Sequence, residues 1–443
     1  MWERVIRKRD DLADTLWLVP SICTVLAVIL AFVLVRVDEA VELSDRATST
    51  PWLYGGGAEG ARGVLSAIAS TMITVAGTVF SITILTLQLA SSQFTPRVLR
   101  HFTGDRGVQL VLGVFIGNFT YCLLVLRSIH SERDTQKLFV PVISVSVAVL
   151  LALLAIGMLI YQIHHVARSI QAAVIVDRAA NETVESFERL GQGTDRAGED
   201  GRSIVHGAAG WPFREDVGES VTSEVGGYVL TVDVDRLLGW AAERRASIRV
   251  LPTPGAYVIT GEPMLLVVAD ERLSDDDLVK LRGTVLLGVE RTMRGDPAFG
   301  IRQLSDIALK ALSPGINDPT TAQTCIDRLG KILVRAASSG NLGALTHLHS
   351  GGRVYVAGIG FDDLVEVAYA QVRNYGAGDA IVMSNLVRTL GTVAGLVGPA
   401  HRQSLVRQAR LAVESAREKI TVSADVEKIE GAAAWALPLA VAP

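Results

Sequence analysis

A run without a single charged residue, "STMITVAGTVFSITILTLQLASSQF", extends from Ser70 to Phe94 and constrains the fold more than any other feature of the chain. The run is long enough to cross a bilayer, because a membrane-spanning helix needs about 20 mainly apolar residues. Hydroxyl and amide side chains nevertheless recur along it. Because such groups are costly to expose to lipid, the pattern predicts a membrane helix whose polar side chains face protein or water.

Three further apolar segments accompany this one, and all of them precede residue 165. The predicted spans are residues 16–35, 64–90, 108–126 and 138–163. The remaining sequence has the composition of a globular protein, although 49% of all residues are hydrophobic. These features predict an α-helical integral membrane domain with four transmembrane helices, followed by a mixed α/β cytoplasmic domain with a small β-rich module and a helical C-terminal part.

The predicted domain boundaries follow changes in composition and periodicity. Residues 1–165 form the membrane domain, and residues 166–202 form a connecting helix and a polar, glycine-rich linker. Alternating apolar residues, as in "GGYVLTVDVD", indicate short strands and place the β-rich module at residues 203–272. Residues 273–443 are predicted to be helical, with Ser274 as the N-cap of the first helix.

The distribution of basic residues predicts the orientation of the chain in the membrane. Arginine and lysine cluster in the N-terminal tail "ERVIRKRD" and follow the second apolar segment, whereas the loop from Arg36 to Arg62 is acidic and glycine-rich. Both termini are therefore expected on the cytoplasmic side of a bacterial inner membrane. Arg133 and Lys137 weigh against this orientation, because they lie in a loop that it places outside.

The polar side chains of the second apolar segment fall on one side of the predicted helix. At 100° per residue they lie within about 120° of one another and form a stripe along the whole helix. We call this stripe the polar face and define it by its candidate pore-lining residues Ser70, Thr74, Thr78, Ser81 and Gln88. Two interpretations remain open: close helix packing, which small and hydroxylated residues permit, and the lining of a water-filled conduit between subunits.

Three residues of the third apolar segment are predicted to serve helix packing. Gly113 and Gly117 are four residues apart, a spacing that lets membrane helices approach closely, and Asn118 is expected to bond across helices. Arg97 and Arg100, beyond the second segment, are predicted to contact anionic lipid headgroups. None of the predicted spans contains Asp, Glu, Lys or Arg, which argues against ion-coupled transport and leaves passive conduction open.

The C-terminal part contains few residues that indicate chemistry. In "SPGINDPTTA", Asp318 is predicted to cap a helix that begins at Pro319, and Asn317 and Asp318 are also candidates for binding a cation or a partner. P-loop, HExxH, GxSxG and dinucleotide-binding motifs are absent from the sequence, so no enzyme activity, cofactor or metal site is expected. The net charge of −4 does not indicate a nucleic-acid partner.

Two segments carry a family resemblance: "TVAGTVFSITILTLQLASSQFTPRVL" in the second helix and "DPAFGIRQLSDIALKALSPGINDPTTA" in the C-terminal part. They resemble a widespread bacterial family of four-helix membrane proteins that is catalogued as a domain of unknown function, and "GGYVLTVDVDRLL" agrees as well. The resemblance extends over nearly the whole chain. It implies the same topology and joins the two halves of the chain in one family, but it implies no activity.

Two functions of different classes are predicted. The first is a passive channel for an ion or small solute, formed by a homo-oligomer around the second helix and regulated by the cytoplasmic domain. The second is a membrane-anchored sensor or scaffold that does not conduct. The position of the polar face distinguishes them, because a face packed against Gly113, Gly117 and Asn118 of its own subunit would have nothing to line.

Overall fold

The computed structural model describes residues 17–41, 54–93, 105–130, 139–169, 171–195, 203–206, 211, 213, 217–293, 295–339 and 342–436. The chain divides into two compact units, Met1–Gln171 and Ala172–Pro443. We call them the membrane unit and the C-terminal unit and describe each separately.

Four long helices make up the described part of the membrane unit. They are α1 (Leu18–Val41), α2 (Ala58–Gln93), α3 (Arg106–Ser128) and α4 (Val142–Ser169). Each is long and apolar enough to cross a membrane, which confirms the predicted four-helix architecture. Helix α2 has 36 residues. At about 1.5 Å per residue it is roughly 54 Å long, so it exceeds a hydrocarbon core of about 30 Å and must tilt or project beyond it.

Helix α3 is the most buried of the four and packs against α1, α2 and α4. Two groups of buried side chains fill the space around it, one near Tyr121 and the other near Phe115. The outward sides of α1 and α4 consist of large apolar residues such as Phe32, Leu150 and Ile160. Those two helices therefore present to their surroundings the kind of surface that lipid solvates.

Helices α1 and α2 extend beyond their predicted spans, and the additional helical residues include charged ones. Helix α1 continues past residue 35, so Asp38 lies within the candidate span Leu18–Ala40. Helix α2 begins at Ala58, so Arg62 lies within the second candidate span. The predicted spans themselves contain no charged residue, and Asp38 and Arg62 lie in the parts of α1 and α2 outside residues 16–35 and 64–90. Both are hydrogen-bonded at one end of the helix bundle.

Nine strands in two sheets lie in the described part of the C-terminal unit. They are β1 (Ser203–His206), β2 (Glu219–Thr222), β3 (Gly227–Val232), β4 (Ser247–Val250), β5 (Tyr257–Val258), β6 (Pro263–Val268), β7 (Val285–Gly288), β8 (Leu345–His349) and β9 (Gly352–Val356). One sheet has the order β1-β8-β9-β4-β6-β2, and the other has the order β5-β3-β7. Neighbouring strands are antiparallel, except that β4 and β9 are parallel.

Helices form the remainder of this unit and confirm its mixed α/β class. They are α5 (Ala172–Asp195), α6 (Val234–Arg244), α7 (Asp275–Arg282), α8 (Pro297–Ala311), α9 (Pro319–Ser338), α10 (Phe361–Gly376), α11 (Ala380–Leu396), α12 (Pro399–Lys419) and α13 (Ser423–Ala432). Helix α9 packs against α5, α8 and α11, and α11 packs in turn against α12. Two predicted caps are confirmed: Ser274 caps α7 in a capping box with Asp277, and Asp318 caps α9.

Strands β7, β8 and β9 lie beyond residue 272, in the region that the sequence analysis assigns to helices. Strands β8 and β9 form a hairpin whose two-residue turn is Ser350 and Gly351, with φ of 48° and 88°. Positive φ at both central positions is the mark of a type I′ turn, which suits the twist of a hairpin. The signal in the sequence is short, because each strand has only five residues.

Candidate functional site

The polar face lies on the outer side of α2. Its residues Ser70, Thr74, Thr78, Ser81 and Gln88 are all exposed in the single chain. The opposite side of the helix is buried against the rest of the membrane unit, through Ala61, Leu65, Ala69, Met72, Ala76 and Val79. The fold therefore uses the apolar side of α2 for its own core and leaves the polar face outside that core.

Three hydroxyl groups of the polar face donate to carbonyl oxygens of their own helix. Thr74 Oγ1 donates to Ser70 O at 2.8 Å, Thr78 Oγ1 to Thr74 O at 3.1 Å, and Ser81 Oγ to Gly77 O at 2.9 Å. These bonds satisfy each donor but leave oxygen lone pairs that can accept. Gln88 adds an amide with two N–H donors and one acceptor. The polar face is thus an uncharged surface on which acceptors predominate.

Exposed apolar side chains border the polar face on both sides. By helical geometry Ile73 and Phe80 lie along one border, and Ile82 and Leu89 lie along the other. All four are at least 40% exposed.

Leu85, which is 64% exposed, lies on the same side between Ser81 and Gln88 and interrupts the polar face. The outer sides of α1 and α4 are more apolar, although Ser21 of α1 is also exposed. The combination of polar and apolar side chains on α2 suits contact with another protein surface more than contact with lipid.

Gly113 and Gly117 pack against α1 and do not contact the polar face of α2. A Cβ atom on Gly113 would lie 2.8 Å from Cys23 Sγ, and one on Gly117 would lie 3.3 Å from the Cys23 carbonyl oxygen. Both glycines therefore allow α1 and α3 to approach closely. The polar face therefore does not pack on the glycines of its own subunit, and close packing on another helix remains one of the two interpretations.

Asn118 is buried in α3 beside these glycines. Its Oδ1 accepts from Cys122 Sγ at 3.6 Å, and its Nδ2 has no partner among the described residues. The expected hydrogen bond across helices is therefore not formed within the described part of the chain. Asn118 instead contacts Cys122 of its own helix, since side chains at i and i+4 are neighbours on a helix.

Asp38 forms a buried polar site that the sequence analysis missed. Its carboxylate accepts from Ile143 N and Ser144 N, both at 2.9 Å, and from Ser144 Oγ at 2.6 Å. Tyr121 Oη donates to the Ser144 carbonyl at 2.9 Å. Asp38 thus caps the N-terminus of α4 from a different helix and opposes the positive end of its dipole. The signal in the sequence is one acidic residue just after an apolar run.

At the other end of the bundle a hydrogen bond joins α4 to the residue that precedes α3. His165 Nε2 and Asp105 Oδ2 are 2.7 Å apart, and the ring of Tyr161 stacks on the His165 ring. Asp105 Oδ1 also accepts from Gly107 N, so the same carboxylate caps α3. Polar groups therefore fasten the helices at both ends.

The remaining candidates are placed as follows. Both carboxylate oxygens of Asp318 bind Thr321, one through its backbone N–H at 3.0 Å and one through its hydroxyl at 2.5 Å. These hydrogen bonds, that from the hydroxyl above all, lower the pKa of Asp318. Asn317 is exposed in a left-handed conformation with φ of 49°.

Arg97 and Arg100 lie outside the described residues. Within the described residues no cluster of three His, Cys, Asp or Glu side chains is arranged to hold a metal ion.

Four apolar helices followed by a globular unit of strands and helices define a polytopic membrane protein. Residues 13–392 match the family described as "Predicted membrane protein (DUF2254)", and the chain belongs to that family. This confirms the resemblance seen in the sequence.

Two mycobacterial proteins are similar to this chain over most of its length. They are "Uncharacterized protein MT1328" of Mycobacterium tuberculosis (strain CDC 1551 / Oshkosh) and "Uncharacterized protein Mb1321c" of Mycobacterium bovis. Each is 33% identical over 389 residues, which cover 86% of this chain and 73% of the relative. No solved structure matches the chain.

Proposed function

We propose that this protein is a homo-oligomeric passive channel for an ion or small solute, in which the polar faces of several α2 helices surround a common axis. The observation that carries the proposal is the exposure of the polar face on the side of α2 opposite its buried side. A bundle that packed its polar residues inward would need no partner. In this bundle the polar face of α2 points outward. Contact with a second copy or with water would keep its side chains away from lipid.

The other helices support assembly through α2. The outer surfaces of α1 and α4 are apolar. Phe32, Leu150 and Ile160 are each more than 60% exposed in the single chain. Lipid solvates such surfaces without cost. The polar face, with the amide of Gln88, is solvated poorly by lipid wherever it lies within the hydrocarbon core. We therefore place α2 toward the oligomer axis and α1 and α4 toward lipid.

The chemistry of the polar face favours passive conduction. Hydroxyl oxygens and one amide offer weak, uncharged ligands that permit a solute to enter and leave. Asp38 and Arg62 lie at one end of the bundle and are already engaged with Ser144 and the Ile129 carbonyl. No step that couples a proton or an ion to transport, and no enzymatic step, forms part of the proposal.

A non-conducting membrane-anchored sensor or scaffold is the second candidate. It is favoured by the hydrogen bonds of Thr74, Thr78 and Ser81, whose donors are already satisfied within α2. Polar faces of two copies could then pack directly on each other with no water between them. In both candidates the termini lie in the cytoplasm of a bacterial cell, as the basic flanks of the apolar segments suggest.

Flux measurements on purified protein in liposomes separate the two candidates. Thr78→Val and Thr83→Val form a matched pair, because each threonine hydroxyl donates to the carbonyl four residues earlier. Thr78 belongs to the polar face, whereas Thr83 is 7% exposed and faces the core of its own unit. With K⁺, Na⁺ and Cl⁻ as probes, we expect Thr78→Val and Gln88→Leu to lower flux severalfold and Thr83→Val to leave it unchanged.

Cross-linking tests assembly separately from conduction. Under oxidation Ser81→Cys should form covalent dimers, and Leu150→Cys on the outer side of α4 should not; the unmodified chain controls for its own cysteines. Dimers without flux in folded protein would overturn the channel and favour the scaffold. Equal cross-linking of Ser81→Cys and Leu150→Cys would overturn assembly through α2.

A further inference from the structure

A groove with a volume of about 510 Å³ lies between α9 and α11 in the C-terminal unit. Its charged lining residues are Asp327, Lys331 and Arg335 from α9 and Arg388 from α11. Gly330 allows the two helices to approach at its base, since a Cβ atom there would lie 2.7 Å from Thr389 Cγ2. The lining thus holds three cations and one carboxylate, an unusual excess in a chain whose net charge is −4.

The three cations differ in what they already bind. Arg335 pairs with Glu188 of α5 through an Nη2–Oε1 distance of 2.7 Å. Lys331 Nζ donates to Asn181 Oδ1 of α5 at 2.9 Å, so its partner is a neutral amide. Within the described residues Arg388 has no carboxylate partner and contacts Asn385 Oδ1. Lys331 and Arg388 therefore form no ion pair in the part of the chain that the structure describes. Asp327 nevertheless lies in the same lining, and its Oδ1 accepts from Asn385 and Thr389.

The guanidinium of Arg388 is held in place by a buried amide. Asn385 is 2% exposed, and its Nδ2 donates to Asp327 Oδ1 at 3.0 Å and to the Gln323 carbonyl at 3.4 Å. These two bonds orient the amide so that Oδ1 points to Arg388. One donor of the guanidinium is used in this way, and the other N–H groups remain for a ligand. Asn385 and Asp327 are accordingly positioning residues.

The rest of the lining is apolar or already satisfied. Thr389 Oγ1 donates to Asp327 Oδ1 at 3.1 Å, and Thr392 Oγ1 donates to the Arg388 carbonyl at 3.1 Å. Val334 and Leu396 contribute aliphatic surface, and Leu396 is 66% exposed. A ligand that fits both parts has an anionic group for Lys331 and Arg388 and an apolar portion for Leu396.

We propose that the α9–α11 groove binds the phosphate group of a small amphipathic anion through Arg388 and Lys331. A planar guanidinium fork pairs bidentately with carboxylate or phosphate. Phosphate is proposed because its three acceptor oxygens can bind the fork and the ammonium group together. Asn181 of α5 competes for Lys331, because a phosphate oxygen is a stronger acceptor for an ammonium group than a neutral amide oxygen. Binding therefore exchanges the Lys331–Asn181 hydrogen bond for a charged one.

The test measures equilibrium binding of butyl phosphate to the full-length protein in phosphatidylcholine nanodiscs. Arg388→Gln should weaken binding by about tenfold or more, because it removes a charge-assisted bidentate contact. Arg388→Lys should restore part of the affinity. Asn181→Ala should tighten binding, since it releases Lys331, and a merely structural role for the groove would not produce that gain.

Arg402→Gln on α12 is the matched control, because Arg402 is exposed and lies outside the groove. It removes the same charge and should change affinity less than twofold, as expected for a screened surface charge. Absence of saturable binding to the unmodified protein would overturn the proposal. So would an equal loss in Arg388→Gln and Arg402→Gln, which would indicate attraction by net charge alone.

A phosphate group can come from a soluble molecule or from a lipid headgroup. Repeating the titration in nanodiscs that contain phosphatidylglycerol distinguishes the two sources. If the headgroup is the natural occupant, butyl phosphate will bind more weakly there, and Arg388→Gln will abolish the difference. Equal affinity in both nanodiscs assigns the groove to a soluble phosphate.

Discussion

The membrane unit and the C-terminal unit satisfy their helix termini in different ways. In the C-terminal unit the capping side chain is local: Ser274 and Asp277 cap α7, and Asp318 caps α9 through Thr321. In the membrane unit the cap of α4 comes from Asp38, which is 105 residues away from Ile143 in the sequence. A local cap stabilises one helix, whereas a distant cap also fixes how two helices are arranged.

The two units also direct their polar and apolar residues differently. The C-terminal unit buries apolar side chains such as Ile248, Leu265 and Ile326, as globular proteins do. The membrane unit exposes apolar side chains on α1 and α4, and on α2 it exposes the polar face beside apolar side chains. The predictions below test each part of this contrast.

Asp38→Ala should have the largest effect on stability. It removes the acceptor for two backbone N–H groups and one hydroxyl in a buried position, so the membrane unit should lose at least about 3 kcal/mol. Thermal unfolding of purified protein in detergent measures the loss. Glu39→Ala is the control, because Glu39 is exposed and pairs only loosely with Arg36 at 3.8 Å. Similar effects of both substitutions would contradict the role of Asp38 as a cap.

Asp277→Ala should destabilise the C-terminal unit by about 2 kcal/mol, because the buried Trp240 Nε1 and the Arg244 guanidinium lose an acceptor. The hydrogen bond from the Ser274 hydroxyl, followed by that from Trp240, lowers the pKa of Asp277 from 3.8 to about 2. A lowered pKa stabilises the folded state above pH 3.8, and this contribution disappears as the pH falls toward 2. Unfolding at pH 6 and pH 2.5 should therefore differ less in the variant than in the unmodified protein. An identical pH dependence would contradict the assignment.

Whether a capping contact is local in the sequence also decides whether the sequence predicts it. Ser274 and Asp318 stand immediately before their helices, so propensity and spacing alone identify both caps. The four membrane helices follow from the length of their apolar runs. Asp38 is different: its partner is in another helix, and no spacing in one sequence reports that contact. The helix that contains it is therefore longer than the predicted span.

The arrangement of the candidate site was predicted only in part for the same reason. Periodicity places the polar side chains on one side of α2. It does not say whether that side packs against Gly113 and Gly117, because this depends on which helices are neighbours. In the structure those glycines pack against α1 at Cys23. Strands β8 and β9 were missed because β4 pairs with β9 across a long sequence separation and the hairpin strands are short.

Asp318→Ala should cost about 1 kcal/mol, the usual effect of removing an N-cap side chain. The loss is smaller than for Asp38, because α9 is also fixed by its packing against α5, α8 and α11. Asp318→Ser keeps a hydroxyl acceptor and should recover most of the stability. Chemical denaturation followed by circular dichroism gives both values. An alanine variant as stable as the unmodified protein would show that the cap is dispensable.

Thr78→Val should have the smallest effect on the stability of the single chain, within about 0.5 kcal/mol. The Thr78 hydroxyl bonds only to the Thr74 carbonyl, and a helix carbonyl keeps its backbone partner when that bond is lost. Thr83→Val removes the same kind of bond from the buried side and should also change stability little. The two variants should differ in assembly instead. Light scattering in detergent should show a smaller oligomer fraction for Thr78→Val alone, because only Thr78 lies where a second copy is expected. Identical oligomer fractions in the two variants would show that Thr78 does not contribute to assembly.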